Sequence, residues 1–238
     1  MGSPFSRYAI YFIADPVLHE RASSWLGWDC IAGNETEPPA PGVLANPAGL
    51  DIAAVTATPR KYGFHGTIKP PMRLADGVTE TVLRARATEL AAAIAPVELP
   101  RMQIARLGRF LAIMPTKASQ PFAQMAATFV TELDDLRAPQ TDAELARRRK
   151  AELTPRQDAL LQEWGYPYVL EEFRFHMTLS GSLDETTSTA AMAMLDQWLT
   201  PVIPAPFVVS RMALAGEGTD GRFRVISWLP LGGQLQGS

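Results

Sequence analysis

One pattern that occurs twice constrains this chain more than any other feature. Phe64-His65-Gly66-Thr67-Ile68 returns as Phe175-His176-Met177-Thr178-Leu179, so two of the three histidines in 238 residues share one local setting. In an extended strand successive side chains point to opposite faces. Phe64, Gly66 and Ile68 then lie opposite His65, Thr67 and Lys69, and Phe175, Met177 and Leu179 lie opposite Arg174, His176, Thr178 and Ser180. Each strand buries an apolar face and presents an imidazole beside a hydroxyl on the other.

The surroundings repeat as well. After the first copy, Asp76 stands as a helix cap before Leu83, Ala87, Leu90 and Ile94 at helical spacing, and runs at 102–107 and 110–114 flank Gly108 as a hairpin. After the second, Asp184 is the cap, Ala191, Met194, Leu195, Trp198 and Leu199 form the stripe, and runs at 207–214 and 223–229 flank a Gly-rich turn. Strand, helix, hairpin in duplicate predicts an internal repeat. The expected fold is a single α+β domain over 7–232, bilobal, with two antiparallel sheets facing a central cleft and helices outside.

Other segments fit around that frame. The run 7–13 reads as a central strand and 17–28 as a short helix, with Met1 to Ser6 as a floppy leader. The proline-rich stretch 34–47 reads as a surface loop able to lie over the site. A helical insert at about 119–165 separates the repeats, carrying the stripe Phe122, Met125, Phe129 and Leu133 behind Pro121 and a capping box opened by Thr154. The basic run Arg147–Lys150 is read as a solvated helix end, with phosphate recruitment as the alternative.

Bulk properties remove several function classes. A net charge of −3 disfavours a broad nucleic-acid surface and leaves room for a small anionic ligand. Cys30 is the sole cysteine, which excludes an internal disulfide or a thiolate metal cage. No apolar run approaches the ~20 residues of a membrane span and no signal pattern opens the chain, so a cytoplasmic protein without membrane contact is expected.

Two histidines on facing strands suit a reaction with two proton carriers. Imidazole titrates near neutrality, so one ring takes a proton from water while the other delivers one to a leaving oxygen. Thr67 and Thr178 are placed to hold non-bridging phosphate oxygens, and Lys69, Arg174 and Arg60 to offset developing charge. Tyr62 and Tyr168, with Tyr166, line the cleft or merely pack its rim. His19 has no threonine partner and is assigned a packing role. Asp184 and Glu185 serve as cap residues, and with no carboxylate cluster near the histidines neither a metal nor another cofactor is expected.

With these residues in view, the chain resembles the 2H phosphoesterase superfamily, whose signature is a His-x-Thr/Ser motif on each of two lobes of a duplicated α+β fold. Segments 7–12, 61–65 and 164–169, with Phe173 to His176, look like a bacterial DUF1045-like branch linked to phosphonate metabolism. The resemblance implies metal-independent action on a cyclic or 2′,5′-linked phosphodiester, and by analogy a small sugar cyclic phosphate. A non-catalytic phosphometabolite-binding protein and an RNA-processing phosphodiesterase are the alternatives.

Overall fold

A computed structural model describes residues 3–40, 42–46 and 48–232. In chain order the elements are β1 (Arg7–Phe12), α1 (Pro16–Leu26), α2 (Ile52–Thr56), β2 (Gly66–Met72), α3 (Glu80–Ala93), β3 (Val97–Leu99), β4 (Met102–Leu107) and β5 (Phe110–Pro115). There follow α4 (Gln120–Glu132), α5 (Asp142–Arg149), α6 (Pro155–Trp164), β6 (Met177–Thr178), α7 (Glu185–Leu199), β7 (Phe207–Val209), β8 (Arg211–Glu217) and β9 (Phe223–Pro230). The class is α+β and the pairing antiparallel, as the duplicated pattern predicts.

The two expected sheets are not separate. They meet edge to edge where Gly66 of β2 pairs with Met177 of β6, giving one seven-stranded sheet in the order β4-β5-β6-β2-β1-β8-β9. The repeats also exchange their hairpins. The β4–β5 hairpin of the first half borders β6 of the second, and the β8–β9 hairpin of the second borders β1 of the first. The run 207–214 divides at Ser210 because its first strand, β7, leaves the sheet to pair with β3 in a two-stranded ribbon. The exchange extends to the helices: α3 packs on β8 and β9, and α7 on β4 and β5.

β1 is buried on both faces, which is why it reads as an unbroken apolar run. Tyr8, Ile10 and Phe12 enter a large core with Leu18 and Trp25 of α1, Leu83 of α3, Phe129 of α4 and Leu195 of α7. Ala9, Tyr11 and Ile13 enter a smaller cluster with Trp28, Cys30, Ala215 and Phe223 on the opposite face. Phe64, Ile68, Phe175, Met177 and Leu179 all belong to the large core, so the helices cover one side of the sheet and the histidines emerge on the other.

Local signals are mostly realised. Asp184 caps α7 by accepting from Thr187 N, Thr154 forms the capping box of α6, and Gly165 ends that helix at φ +75°. The cap of α3 is Thr79 rather than Asp76, its hydroxyl accepting from Val82 N at 3.3 Å, because Gly77 first turns the chain. Within the leader, Phe5 stacks edge-on against Tyr8 and Ser6 N donates to the Glu217 carbonyl at 2.9 Å, so 3–6 are bound to the sheet. Met1 and Gly2 of that leader, and Pro41 and Pro47 of the proline-rich loop, lie outside the described residues. Among the described residues no helix is long and apolar enough to cross a membrane.

Candidate active site

The pairing of Gly66 with Met177 sets the site. In an antiparallel pair the neighbours of a matched couple are matched in reverse, so Thr67 lies across from His176 and His65 across from Thr178. Residues so opposed have Cβ atoms ~5 Å apart. The four side chains therefore form a two-by-two array on one face of the sheet, each of them half-buried. Ala112 of β5 pairs with Thr178 and adds only a methyl group to that face.

Both rings are held by the same device. A carbonyl can only accept, so Nδ1–H of His65 donates to Gly63 O at 3.0 Å and Nδ1–H of His176 donates to Arg174 O at 2.7 Å. In each case the acceptor lies two residues upstream, and Nε2 is left as the working nitrogen. The Thr67 hydroxyl donates to Nε2 of His65 at 3.0 Å. Gly63 is required for its share: it sits at φ +70°, and a Cβ there would approach Cys30 Cβ to 2.8 Å.

Aromatic rings fix the imidazoles further. Tyr11 stacks on His65 at 3.7 Å between centroids and 23° between planes, Tyr62 tilts toward it at 6.2 Å, and Phe110 lies 5.6 Å from His176. Burial pulls the His65 imidazole down to about 4, against the pull of the Gly63 carbonyl, and charge on His176 lowers it further. Burial also lowers His176, opposed by the Arg174 carbonyl. Burial thus favours the neutral form of both rings.

The cationic residues named from sequence serve elsewhere. Lys69 is 2% exposed: its Nζ donates to Val130 O at 2.8 Å, closing the last turn of α4, and pairs with Asp134 at 3.3 Å. Strand alternation gave it the face of Thr67, but a bulge between the Tyr11–Thr67 and Ile10–Lys69 pairs turns it to the helical side, where Ile10 enters the large core and α4 lies. Arg60 donates to Leu26 O at 2.8 Å and to Thr56 Oγ1 at 2.9 Å, tying the end of α1 to α2. Arg174 is exposed and lines a groove with Ser119 and Phe122 on the helical side, because residues 173–175 lie outside the ladder and do not alternate with it. Ser180 is buried, accepting from Leu111 N at 2.9 Å.

Tyr62 borders His65 as expected, whereas Tyr168 stands across an adjoining cavity. His19 packs inside α1, bonded to Asp29 at 2.9 Å. Tyr11 was missed, since an aromatic residue in an apolar strand looks like any core residue. Among the described residues no three His, Cys, Asp or Glu side chains converge.

Comparison with known proteins adds three findings. The chain is 35% identical over 240 residues, 96% of its length, to a Janthinobacterium sp. (strain Marseille) protein named ribose 1,5-bisphosphate phosphokinase PhnN, and 31% identical over 234 residues, 95% of its length, to the protein of that name from Laribacter hongkongensis (strain HLHK9). It spans about half the length of these curated relatives, 51% and 53%. The solved structure of E. coli LigT complexed with ATP aligns with 98% of this chain and 100% of its own at 12% identity and a TM-score of 0.46. A family model described as protein of unknown function (DUF1045) matches residues 67–224, well over half of the chain, and the chain belongs to that family.

Proposed function

We propose that the protein is a metal-independent phosphodiesterase of the 2H type that opens a small cyclic phosphodiester with His65 and His176 as proton carriers. The observation that carries this reading is the doubled array itself: two imidazoles on paired strands, each with Nδ1 locked to a carbonyl two residues upstream, and a threonine on each strand two positions on. A pure binder needs cations rather than proton carriers. Here Lys69 and Arg60 are engaged in the fold and Arg174 points to another groove.

In the proposed reaction Nε2 of His65 takes a proton from water as the water oxygen bonds to phosphorus. Nε2–H of protonated His176 delivers its proton to the departing alkoxide as the P–O bond breaks. The products are a phosphomonoester and an alcohol, and the two rings have exchanged protonation states. With substrate bound the Thr67 hydroxyl turns from Nε2 of His65 to a non-bridging oxygen, freeing Nε2 for the water, and Thr178 donates to another, where charge accumulates. His65 is the base because burial and the charge of its neighbour His176 both keep it neutral.

The relatives' name supports a sugar phosphate as substrate. Opening 5-phosphoribosyl 1,2-cyclic phosphate at the P–O2 bond leaves ribose 1,5-bisphosphate, the compound their name puts before a phosphokinase. The kinase activity itself is not transferred to this chain, which contains no Gly-x4-Gly-Lys-Ser/Thr loop to cradle a nucleotide.

Incubation with sugar cyclic phosphates, 2′,3′-cyclic nucleotides, 2′,5′-linked oligonucleotides and phosphomonoesters, followed by ³¹P NMR, tests the reading. A sugar cyclic phosphate should be opened fastest; no turnover of any diester would reject an enzyme of this type. Activity should persist in excess EDTA, and loss restored by a divalent cation would reject the proton-transfer scheme.

The pH profile has a defined sign. kcat/KM reports the free enzyme, so with both imidazoles lowered the bell should centre below pH 7, its acid limb from His65 and its alkaline limb from His176. His176→Ala should recover much of its lost rate on a p-nitrophenyl diester, whose leaving group needs no acid, while His65→Ala should not. A flat profile from pH 5 to 9, or equal rescue of both variants, would contradict the assignment.

A further inference from the structure

Beside the histidine array lies a cavity of about 350 Å³ whose lining includes Arg7, Tyr62, Arg147, Arg148 and Tyr168. Tyr62 is shared between the two, its ring 6.2 Å from that of His65. The four basic residues at the end of α5 do not behave alike. Arg149 pairs with Asp158 at 2.6 Å, which accounts for it as a structural residue. Arg147 and Arg148 border the cavity, and among the described residues neither forms a salt bridge. Arg148 is held in place with its guanidinium 4.6 Å from the centre of the Tyr166 ring, which itself meets Tyr168 edge-on at 5.7 Å.

The charge of this cavity is open on one side only. Arg7 is neutralised by a two-point pair with Glu217, at 2.6 and 2.7 Å. Glu217 also feels the charge of Arg147, but one carboxylate against Arg7, Arg147 and Arg148 leaves positive charge over, with Tyr62 and Tyr168 lining the same cavity. A phosphomonoester carries a charge of about −1.5 to −2 at pH 7 and presents three strong acceptor oxygens. Two unpaired guanidiniums match it in charge and in fork geometry.

We infer that this cavity is a second phosphate subsite, so that the substrate is a cyclic phosphodiester bearing a separate phosphomonoester, the diester on the histidines and the monoester on Arg147 and Arg148. The inference rests on the phosphodiesterase reading for the diester half alone. It gives the helical insert a role, since α5 brings to the site the cations that the catalytic strands do not supply. Discrimination comes from the charge-assisted contacts that the monoester makes with the two guanidiniums and that an analogue without it lacks.

Two measurements test it together. Wild type and an Arg147→Gln/Arg148→Gln variant, its fold checked by circular dichroism, are titrated calorimetrically with ribose 5-phosphate and with ribose. Wild type should bind ribose 5-phosphate but not ribose, with affinity falling as salt rises, and the variant should bind it at least 10-fold more weakly. Both proteins are then assayed on 5-phosphoribosyl 1,2-cyclic phosphate and on its 5-hydroxyl analogue. The wild-type preference in kcat/KM for the phosphorylated substrate should shrink by roughly 10- to 100-fold in the variant. Equal kcat/KM on the two substrates in wild type, or unchanged ribose 5-phosphate affinity in the variant, would overturn the subsite while leaving the phosphodiesterase standing. Arginine-dependent binding of ribose 5-phosphate without hydrolysis of either diester would uphold the subsite and reject the phosphodiesterase.

Discussion

Replacing either His65 or His176 with Ala should lower kcat by ~10²-fold or more, because each removes a proton carrier that no neighbour replaces. Both rings are half-buried on the open face of the sheet, apart from the large core, so the melting temperature should stay close to that of wild type. The double variant should be little slower than the worse single one, since base and acid act in one step and removing either already disables it. Thr67→Ala and Thr178→Ala remove donors without removing a proton carrier, and losses of order 10- to 100-fold are expected. Single-turnover rates with a cyclic sugar phosphate would show this ranking. A folded His65→Ala or His176→Ala protein with full activity would take that residue out of the mechanism.

Gly66→Ala should damage both stability and turnover although it touches no reacting group. A Cβ on Gly66 would lie 2.3 Å from Cε2 and 2.9 Å from Cζ of Phe175. That ring is 5% exposed and packed against Phe12 at 5.8 Å and Phe122 at 4.5 Å, so it can give way only toward the groove at Ser119 and at the expense of those contacts. Overpacking of this kind costs roughly 1–3 kcal/mol, equivalent to about 2–12 °C in Tm for a chain of this size. The damage falls on the one matched pair that joins β2 to β6, so the histidine array is pushed out of register and kcat should fall at least 10-fold. Thermal melts and kinetics together check it. Phe175→Leu added to Gly66→Ala should recover part of the lost Tm, and a Gly66→Ala protein with wild-type Tm and kcat would show that the two strands tolerate more separation than this packing allows.

The same close contact explains why the two motifs differ at their middle residue, Gly in one and Met in the other. More broadly, the sequence reading succeeded where the signal was local. Alternation over five residues was enough to put His65, Thr67, His176 and Thr178 on one type of face, and cap residues such as Thr154 and Asp184 announced their helices. It failed where a residue's partner comes from far along the chain. Alternation puts Lys69 on the face of Thr67, yet a bulge in β2 pairs it with Ile10 and turns it toward the Val130 carbonyl of α4 and Asp134, and nothing near position 69 reports that. Arg60 is held by Leu26, 34 positions earlier. Strand order is of the same kind: alternation assigns faces but not neighbours, so the joining of two sheets into one, and the exchange of hairpins, had no local trace.

That exchange has a consequence for the protein during its synthesis. β1 and β2 emerge early and pair with each other, but the other edge of β2 waits for Met177 and the other edge of β1 waits for residues 211–217. Until those segments emerge the nascent chain carries a two-stranded ribbon with both borders open, a template for pairing with neighbouring chains. The residues of the histidine array are all made by the time Thr178 is added, yet β1 keeps an open border until β8 follows. A stop codon between the two would therefore leave the array residues on a sheet with an exposed edge.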